Sequence, residues 1–386
     1  MSAAELHLAL VFPGCHRHGG VERLVWEAAA QFAAAHHVTV ITASVDDNPP
    51  PGAEILLVET GGPAALGPVA FHRAVRRVVR GRSFDLVVGF GSEYLDPDVA
   101  WVNSIHRAWL ERARTSEGSL VQRFARYALP AHQVTLWHER RYFTRTSLRH
   151  VISVADAVTD DLARLFGVDP MNADTVHNGY DPDAFSPARR AERRHAARAH
   201  YGFGDDDVVA VIVAHELRRK GVSTLVEATA KCGDDRLRVL LIGKLEPVSE
   251  AALARSLGVG EQFIYGGASN DVGLAHAAAD LFVLPTTYEA FCLAIVEALA
   301  SGLPVITTAV PGAADVIRDG ENGRIQHNPR SSDELAALLR EALDETTRRR
   351  WADAAAPSVA ELSWPKLLEK ADEVLRRVAG SRHPAQ

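Results

Sequence analysis

Short apolar segments alternate with longer segments of helical periodicity along the whole chain. The apolar segments have the length of buried strands, and they occupy residues 6–12, 37–43, 54–60, 85–90, 149–154, 208–214, 238–243, 262–266, 280–285 and 304–308. An alternation of buried strands with helices is typical of parallel sheets assembled from βα units. The pattern therefore predicts an α/β fold.

The strand segments fall into two series that begin in the same way. Strand 6–12 leads into GGVERLVWEAAA (19–30), and strand 208–214 leads into KGVSTLVEATA (220–230). The shared Gly-Val-x-x-Leu-Val register indicates two Rossmann-like halves. A chain of 386 residues also suits two domains better than one core. We therefore predict a first domain at residues 1–187 and a second domain at residues 188–362. A final helix, at residues 363–386, is predicted to cross back to the first domain.

Two glutamates stand at the carboxyl end of the strand predicted at 280–285. Glu289 lies in the loop after this strand, and Glu297 lies one to two turns into the next predicted helix. The backbone N–H groups around Phe291, Cys292 and Leu293 form the start of that helix, which is a suitable place for an anion. Carboxylates on both sides of such N–H groups could hold a sugar, a diphosphate and a ribose. The alternative is a capping carboxylate followed by a solvated glutamate, and the spacing alone leaves both open.

The charge balance argues against a nucleic-acid partner. The chain is 47% hydrophobic and 24% charged, with a formal net charge of −7. It has 19 Lys and Arg against 21 Asp and Glu up to residue 190, and 23 against 28 after it. Since neither half is basic, we expect no nucleic-acid partner.

The start of the chain and its cysteines indicate where the protein acts. No basic region precedes the first apolar segment, and no segment approaches the roughly 18 apolar residues of a membrane span. The three cysteines are odd in number and far apart, which argues against a disulfide framework. We therefore expect a cytoplasmic protein without a signal peptide or a transmembrane segment.

The sequence contains only poor matches to known metal-binding motifs. Asp96-Pro97-Asp98 and Asp181-Pro182-Asp183 imitate the D-x-D of metal-dependent transferases, but a central proline is typical of turns. No H-E-x-x-H or C-x-x-C pattern is present. We expect neither a metal nor another cofactor.

Several motifs together resemble one known family over nearly the whole chain. The pair Glu289 and Glu297, followed by ALASGLPVITT, resembles the E-x7-E signature of retaining family 4 glycosyltransferases, which have the GT-B fold. Arg219-Lys220-Gly221 resembles the family's phosphate-binding segment, and Asn178–Asp181 resembles its NGVD segment. Residues 106–110 and 136–143 resemble the lipopolysaccharide-core α-glucosyltransferases in particular.

This resemblance implies a fold and a reaction. The fold is α/β of GT-B type, with two Rossmann-like domains facing a central cleft, the first for the acceptor and the second for the donor. The implied enzyme is a metal-independent, retaining hexosyltransferase. Its donor is a nucleoside diphosphate sugar, with UDP favoured, and its acceptor is a saccharide, a lipid-linked molecule or a natural product.

The resemblance also implies roles for residues of the second domain. Glu289 would hold sugar hydroxyls, and Arg219 and Lys220 would hold the diphosphate, since fixed cations can neutralise its charge without a metal. Glu297 would hold the ribose. Cys292 replaces the glycine usual in the family, so only its backbone role carries over.

Further roles fall in the first domain. His106 would donate to the donor sugar or support positive charge in the cleft. Gly19 and Gly20 would let the backbone approach the donor's phosphates or the acceptor. The Arg-rich segment 106–130 fits two interpretations, which are contact with an anionic membrane surface from the cytoplasmic side and a solvated helix beside the acceptor.

Two rival functions use the same residues. A nucleotide-sugar 2-epimerase of GT-B fold would convert a UDP-sugar when no acceptor is present. A non-catalytic nucleotide-sugar binder would hold UDP without turnover, but the joint presence of Glu289, Arg219 and Lys220 disfavours it.

Overall fold

The structure, a computed structural model, describes residues 4–17, 19–60, 67–116, 130–244, 246–269, 271–310 and 312–381. The chain forms two compact units. The first unit is Met1–Asn178 together with Trp364–Gln386, and the second is Gly179–Ser363. Each unit contains a parallel sheet and the helices that connect its strands, so the predicted α/β fold with two Rossmann-like halves is confirmed.

The sheet of the first unit has seven strands in the order β5-β3-β1-β6-β7-β8-β9, and two short strands, β2 and β4, pair separately. The strands are β1 His7–Val11, β2 Gly14–Cys15, β3 His37–Thr42, β4 Ser44–Val45, β5 Glu54–Leu57, β6 Leu86–Phe90, β7 Val99–Val102, β8 His150–Ser153 and β9 Ala173–Thr175. The helices are α1 Val21–Phe32, α2 Gly67–Arg80, α3 His106–Ser116, α4 Pro130–Phe143, α5 Asp156–Phe166 and the last helix of the chain, α13 Trp364–Gly380.

The sheet of the second unit has six strands in the order β12-β11-β10-β13-β14-β15. The strands are β10 Val208–Val213, β11 Leu237–Ile242, β12 Phe263–Gly267, β13 Leu281–Leu284, β14 Val305–Thr308 and β15 Gly323–Gln326. The helices are α6 Pro187–Tyr201, α7 Val222–Cys232, α8 Val248–Ser256, α9 Val272–Ala278, α10 Leu293–Ala300, α11 Ser332–Leu343 and α12 Glu345–Ser358. Central strands β10 and β13 are almost fully buried, which explains their continuous apolar sequences.

The boundaries between the units differ from the predicted ones. The first boundary lies at 178/179 rather than at 187/188. Residues 179–187 join the second unit because the Tyr180 N–H donates to the Leu362 carbonyl, at 3.0 Å, and because Phe185 packs in that unit's core. The last helix, α13, belongs to the first unit, where Asp372 pairs with the buried ring of His36 at 2.6 Å.

Helix α6 is polar in sequence, and its arginines tie it to the rest of the second unit. Arg190, Arg194 and Arg198, spaced one turn apart, donate to carbonyls at the end of α9, and Arg194 also pairs with Asp280. Cations at a helix C-terminus compensate the unpaired carbonyls and the negative end of the helix dipole.

Within the described ranges, no helix is long and apolar enough to cross a membrane. Most of the Arg-rich segment 106–130 lies outside the described residues, which omit 117–129. Both interpretations of that segment therefore stay predictions.

Candidate functional site

The candidate donor site lies where the strand order of the second sheet reverses. Strands β10 and β13 are neighbours, although the two intervening strands lie to one side of β10. Their carboxyl ends lead into loops 214–221 and 285–292. In open parallel sheets, the crevice at such a point is where ligands bind.

Backbone contacts join these two loops directly. The carbonyl of Arg219 accepts hydrogen bonds from the N–H of Thr287 at 2.9 Å and from the hydroxyl of Thr286 at 3.1 Å. Gly221, with φ of +74°, then brings the chain so close that an added Cβ would lie 2.0 Å from the Pro285 carbonyl oxygen. Only glycine fits such a contact, which sets the position of the two preceding cations.

Arg219 and Lys220 meet on one carboxylate. The ammonium of Lys220 lies 2.5 Å from Glu289 Oε1, and Arg219 Nη1 donates to the same oxygen. Arg219 also donates to the Tyr288 carbonyl at 2.8 Å and pairs with Glu216 at 3.0 Å. Two cations thus share a carboxylate whose side chain is only 12% exposed.

Lys220 is charged and buried. Although it stands in a loop, Lys220 is only 9% exposed. Its pKa is raised, because the opposing effect of burial is outweighed by the Cys292 sulfur, 3.8 Å from the ammonium, and by Glu289. The pKa of the Cys292 thiol is also raised, mainly by burial, although Lys220 opposes this shift.

Helix α10 begins directly after this cluster. Its N-cap is Cys292, which makes no side-chain capping bond in the described structure, and Phe291 and Leu293 flank it at half-buried positions. Backbone N–H groups at such a start carry partial positive charge. Glu297 lies one turn into α10 and is buried. The structure thus brings Arg219, Lys220, Glu289 and Cys292 into contact and places Glu297 on the adjoining helix.

His106 lies in the first unit, where it begins helix α3 after strand β7. Its Nε2 lies 3.0 Å from Nδ1 of His132, and burial together with His132 lowers the pKa of His106 to about 4. The imidazole is therefore neutral at pH 7. A neutral imidazole favours hydrogen bonding over supporting positive charge, and both roles stay predictions.

Glu139 is a residue that our reading of the sequence missed. Its carboxylate caps helix α3 by accepting the N–H groups of His106 and, at 2.9 Å, of Arg107. Burial raises the pKa of Glu139 to about 7, although these two N–H groups oppose the shift. It stands in LWHERRYF, where neighbouring arginines make a glutamate look like part of a solvated helix face, so the sequence carries no signal for this cap.

Gly19 and Gly20 lie just before helix α1. Gly19 has φ of +97°, and an added Cβ would lie 2.5 Å from a carboxylate oxygen of Glu22. Gly20 is the N-cap of α1, and no described atom lies within 4 Å of where its Cβ would be.

Glu93 follows strand β6, which is the neighbour of β1 in the sheet. Burial raises the pKa of the Glu93 carboxyl to about 7.

A large cavity of the second unit lies away from this site. Its volume is about 850 Å³, and its lining includes Asp207 and Val208, which stand at the amino end of β10. Arg190, Arg194 and Arg348 in its wall already donate to backbone carbonyls. Among the residues that the structure describes, no group of three or more His, Cys, Asp or Glu is arranged to hold a metal ion.

Comparison with known families identifies the class of protein. Residues 193–357 match the family "Glycosyl transferases group 1", and residues 18–184 match "Glycosyltransferase Family 4". The two matches lie in the second and the first unit respectively, apart from residues 179–184. The chain belongs to the group 1/family 4 glycosyltransferases of GT-B fold, as the resemblance predicted.

Individual relatives agree with this assignment. The lipopolysaccharide glucosyltransferase WaaG of Escherichia coli K12 is 29% identical over 92% of this chain and 95% of its own length. A D-inositol 3-phosphate glycosyltransferase of Actinosynnema mirum is 32% identical over 57% of this chain and 55% of its own.

Solved structures agree as well. The crystal structure of WaaG has a TM-score of 0.82 at 26% identity and covers 95% of this chain and 99% of its own. Anabaena Alr3699/HepE in complex with UDP-glucose has a TM-score of 0.74 at 18% identity, covering 97% of this chain and all of its own, which shows a shared fold.

Proposed function

We propose that this glycosyltransferase is a hexosyltransferase that uses a nucleoside diphosphate sugar, with UDP favoured, and retains the anomeric configuration without a metal. Its acceptor would be a saccharide, a lipid-linked molecule or a natural product. The observation that carries the proposal is the contact of Arg219 and Lys220 with Glu289 beside the start of α10. Fixed cations and backbone N–H groups at one point are what a departing diphosphate requires.

Each group of the donor site has a proposed task. Arg219, Lys220 and the N–H groups of Phe291, Cys292 and Leu293 hold the diphosphate. Arginine supplies a planar fork and lysine a point charge. Two carboxylates complete the site: Glu289 accepts hydrogen bonds from sugar hydroxyls, and Glu297 accepts them from the ribose.

Three residues of the first unit are proposed to contact the donor or the acceptor. His106, neutral at pH 7, donates a hydrogen bond to the donor sugar, while Gly19 and Gly20 allow the backbone to approach the donor or the acceptor.

The protein is proposed to act in the cytoplasm. Its three cysteines, Cys15, Cys232 and Cys292, are free and buried, which fits a reducing cytoplasm. The Arg-rich segment 106–130 is the proposed place of peripheral membrane contact.

Known relatives support the donor class. WaaG is named a glucosyltransferase, and HepE has been solved with UDP and with UDP-glucose. The test is to incubate the protein with UDP-glucose and lipid-linked saccharides, free saccharides or hydroxylated aglycones, and to measure UDP release. Transfer with the α-anomer kept in the product, read by proton NMR, is the expected result. An inverted anomer contradicts retention, and conversion of UDP-glucose without acceptor identifies an epimerase instead.

Transfer is expected to be independent of added metal. The cations Arg219 and Lys220 and the start of α10 would do at the diphosphate what a divalent ion does in metal-dependent transferases. The rate should therefore persist in excess EDTA and change by only a small factor with Mn²⁺. The control is a known metal-dependent transferase under the same conditions. Loss of activity in EDTA that Mn²⁺ restores would contradict the proposal.

Glu297→Ala is expected to weaken UDP binding by about 10- to 100-fold. A carboxylate that accepts hydrogen bonds from a ribose contributes about 1.5–3 kcal/mol. Calorimetric titration with UDP measures the change. Glu321→Ala is the control, since Glu321 is an exposed glutamate on the turn before β15 and should leave the affinity as it is. Equal UDP affinity in wild type and Glu297→Ala would remove Glu297 from the ribose site.

A further inference from the structure

We infer that Glu289 makes the site discriminate between the intact nucleotide sugar and the nucleoside diphosphate that remains after transfer. Its carboxylate pairs with both cations that a diphosphate needs, and only a bound sugar offers it replacement partners. This inference rests on the proposed function and adds to it a role for Glu289 in releasing the product.

In the described site, the two cations Lys220 and Arg219 are already paired with a carboxylate. Lys220 Nζ lies 2.5 Å from Glu289 Oε1, and Arg219 Nη1 donates to the same atom. The side chains of Lys220, Glu289 and Arg219 are 11%, 12% and 22% exposed, so water screens this cluster only weakly. Glu289 is therefore an internal anion at the place proposed for the ligand's anion.

A diphosphate that binds at Arg219 and Lys220 must compete with this carboxylate. Both anions would lie within a few ångströms of the same ammonium, where like charges repel strongly because little water lies between them. Either Glu289 moves away from the two cations, or it stays and the diphosphate binds close to the Glu289 carboxylate. In both cases the Glu289 carboxylate weakens the binding of a diphosphate.

The sugar of an intact donor offsets this effect. Its hydroxyl groups donate to the displaced carboxylate, and hydrogen bonds from O–H to a carboxylate are short and strong. UDP has no sugar beyond the diphosphate, so Glu289 gains no new partner when UDP binds. Once the sugar has moved to the acceptor, Glu289 is free to pair again with Lys220 and Arg219, which favours departure of UDP.

Calorimetric titration of wild type and Glu289→Gln with UDP and with UDP-glucose tests the inference. The glutamine keeps the size of the side chain and removes its charge. We expect Glu289→Gln to bind UDP at least about 10-fold more tightly than wild type, since a weakly screened charge near a ligand changes affinity by this much or more. UDP-glucose should gain less, because its hydroxyls then donate to a neutral amide oxygen and no longer to a carboxylate. The preference for UDP-glucose over UDP that we expect of wild type should therefore shrink or reverse.

Glu216→Gln is the matched control. Glu216 also pairs with Arg219, at 3.0 Å, but its side chain is 60% exposed and therefore well screened. This variant should change the UDP affinity by less than about 3-fold, because exposed pairs contribute little. A gain as large as that of Glu289→Gln would mean that removing any carboxylate paired with Arg219 suffices, and this would overturn a specific role of Glu289.

The remaining outcomes separate the inference from the proposed function. Wild type that binds neither UDP nor UDP-glucose overturns the inference as stated for UDP and the UDP preference of the proposed function. Wild type that binds both ligands, with a Glu289→Gln variant that binds UDP no more tightly, overturns the inference and leaves the proposed function standing. If the variant does not fold, a crystal structure of wild type with UDP decides. Lys220 bound to the diphosphate with Glu289 displaced supports the inference, and an unchanged contact between Lys220 and Glu289 overturns it.

Discussion

Replacing Lys220 with alanine is expected to lower kcat by about 10²- to 10³-fold, the usual scale for the loss of one preorganised charge in an active site. Negative charge grows on the diphosphate as the glycosidic bond breaks, and Lys220 is the charged, buried ammonium placed by loop 214–221. Without Lys220, Glu289 still pairs with Arg219, so the loss of stability should be smaller than the roughly 3–5 kcal/mol of an unpaired buried charge. The rate must therefore be measured on protein shown to be folded by circular dichroism.

Two further variants separate charge from packing in this experiment. Lys220→Met keeps most of the side-chain volume and should lose as much activity as Lys220→Ala. Arg218→Ala removes the exposed cation two positions earlier and should retain nearly the wild-type kcat. Near-normal turnover in folded Lys220→Met would show that Lys220 acts through packing and not through its charge.

Gly221→Ala is expected to destabilise the second unit far more than Gly233→Ala, although both glycines are left-handed and border the same helix, α7. Their φ angles are +74° and +69°. A left-handed conformation costs alanine about 1–2 kcal/mol at either position. At Gly221 the new Cβ would also lie 2.0 Å from the Pro285 carbonyl oxygen, whereas at Gly233 no described atom outside the adjoining chain lies within 4 Å.

The collision at Gly221 adds about 1–3 kcal/mol of overpacking to the conformational cost. We therefore expect the free energy of unfolding to fall by about 2–5 kcal/mol for Gly221→Ala and by about 1–2 kcal/mol for Gly233→Ala. Urea denaturation measures both. UDP affinity should fall for Gly221→Ala alone, because the displaced backbone carries Lys220. Equal losses of stability in the two variants would show that the backbone at Gly221 and Pro285 can move apart without lowering the free energy of unfolding.

Most central strands could be predicted because each one is a continuous apolar segment bounded by polar residues. The prediction 208–214 compares with Val208–Val213 in the structure, and 280–285 compares with Leu281–Leu284. The central strand β7, Val99–Val102, was missed, as were β9, Ala173–Thr175, β15, Gly323–Gln326, and the two-residue strands β2 and β4. Strands β9 and β15 lie at sheet edges, where backbone hydrogen bonds to one neighbour hold a strand that has little hydrophobic pattern of its own. Strand β7 is apolar and buried, but its four residues are too few to show a pattern.

The contacts of the site could not be predicted in the same way. The motifs indicated that Arg219, Lys220 and Glu289 serve one diphosphate site, but not that the cations pair with the carboxylate. Glu139 was missed altogether, because its partner N–H groups at His106 and Arg107 lie more than thirty positions earlier in the chain. Burial of this glutamate depends on the packing of α3 against α4, which leaves no local pattern.

The sequence alone determined the alternation of strands and helices, the two-part organisation and the residue types at the carboxyl ends of the strands. These properties are local, since the periodicity of apolar residues and the glycines of tight turns act over a few positions. Only the tertiary structure decided that β10 and β13 are neighbours, and hence that Lys220 meets a glutamate 69 positions further along the chain. It also decided that His106 is neutral, because its pKa depends on burial and on His132. Strand order, burial and charge pairing are sums over contacts between distant segments, and for that reason they become visible only when the chain is folded.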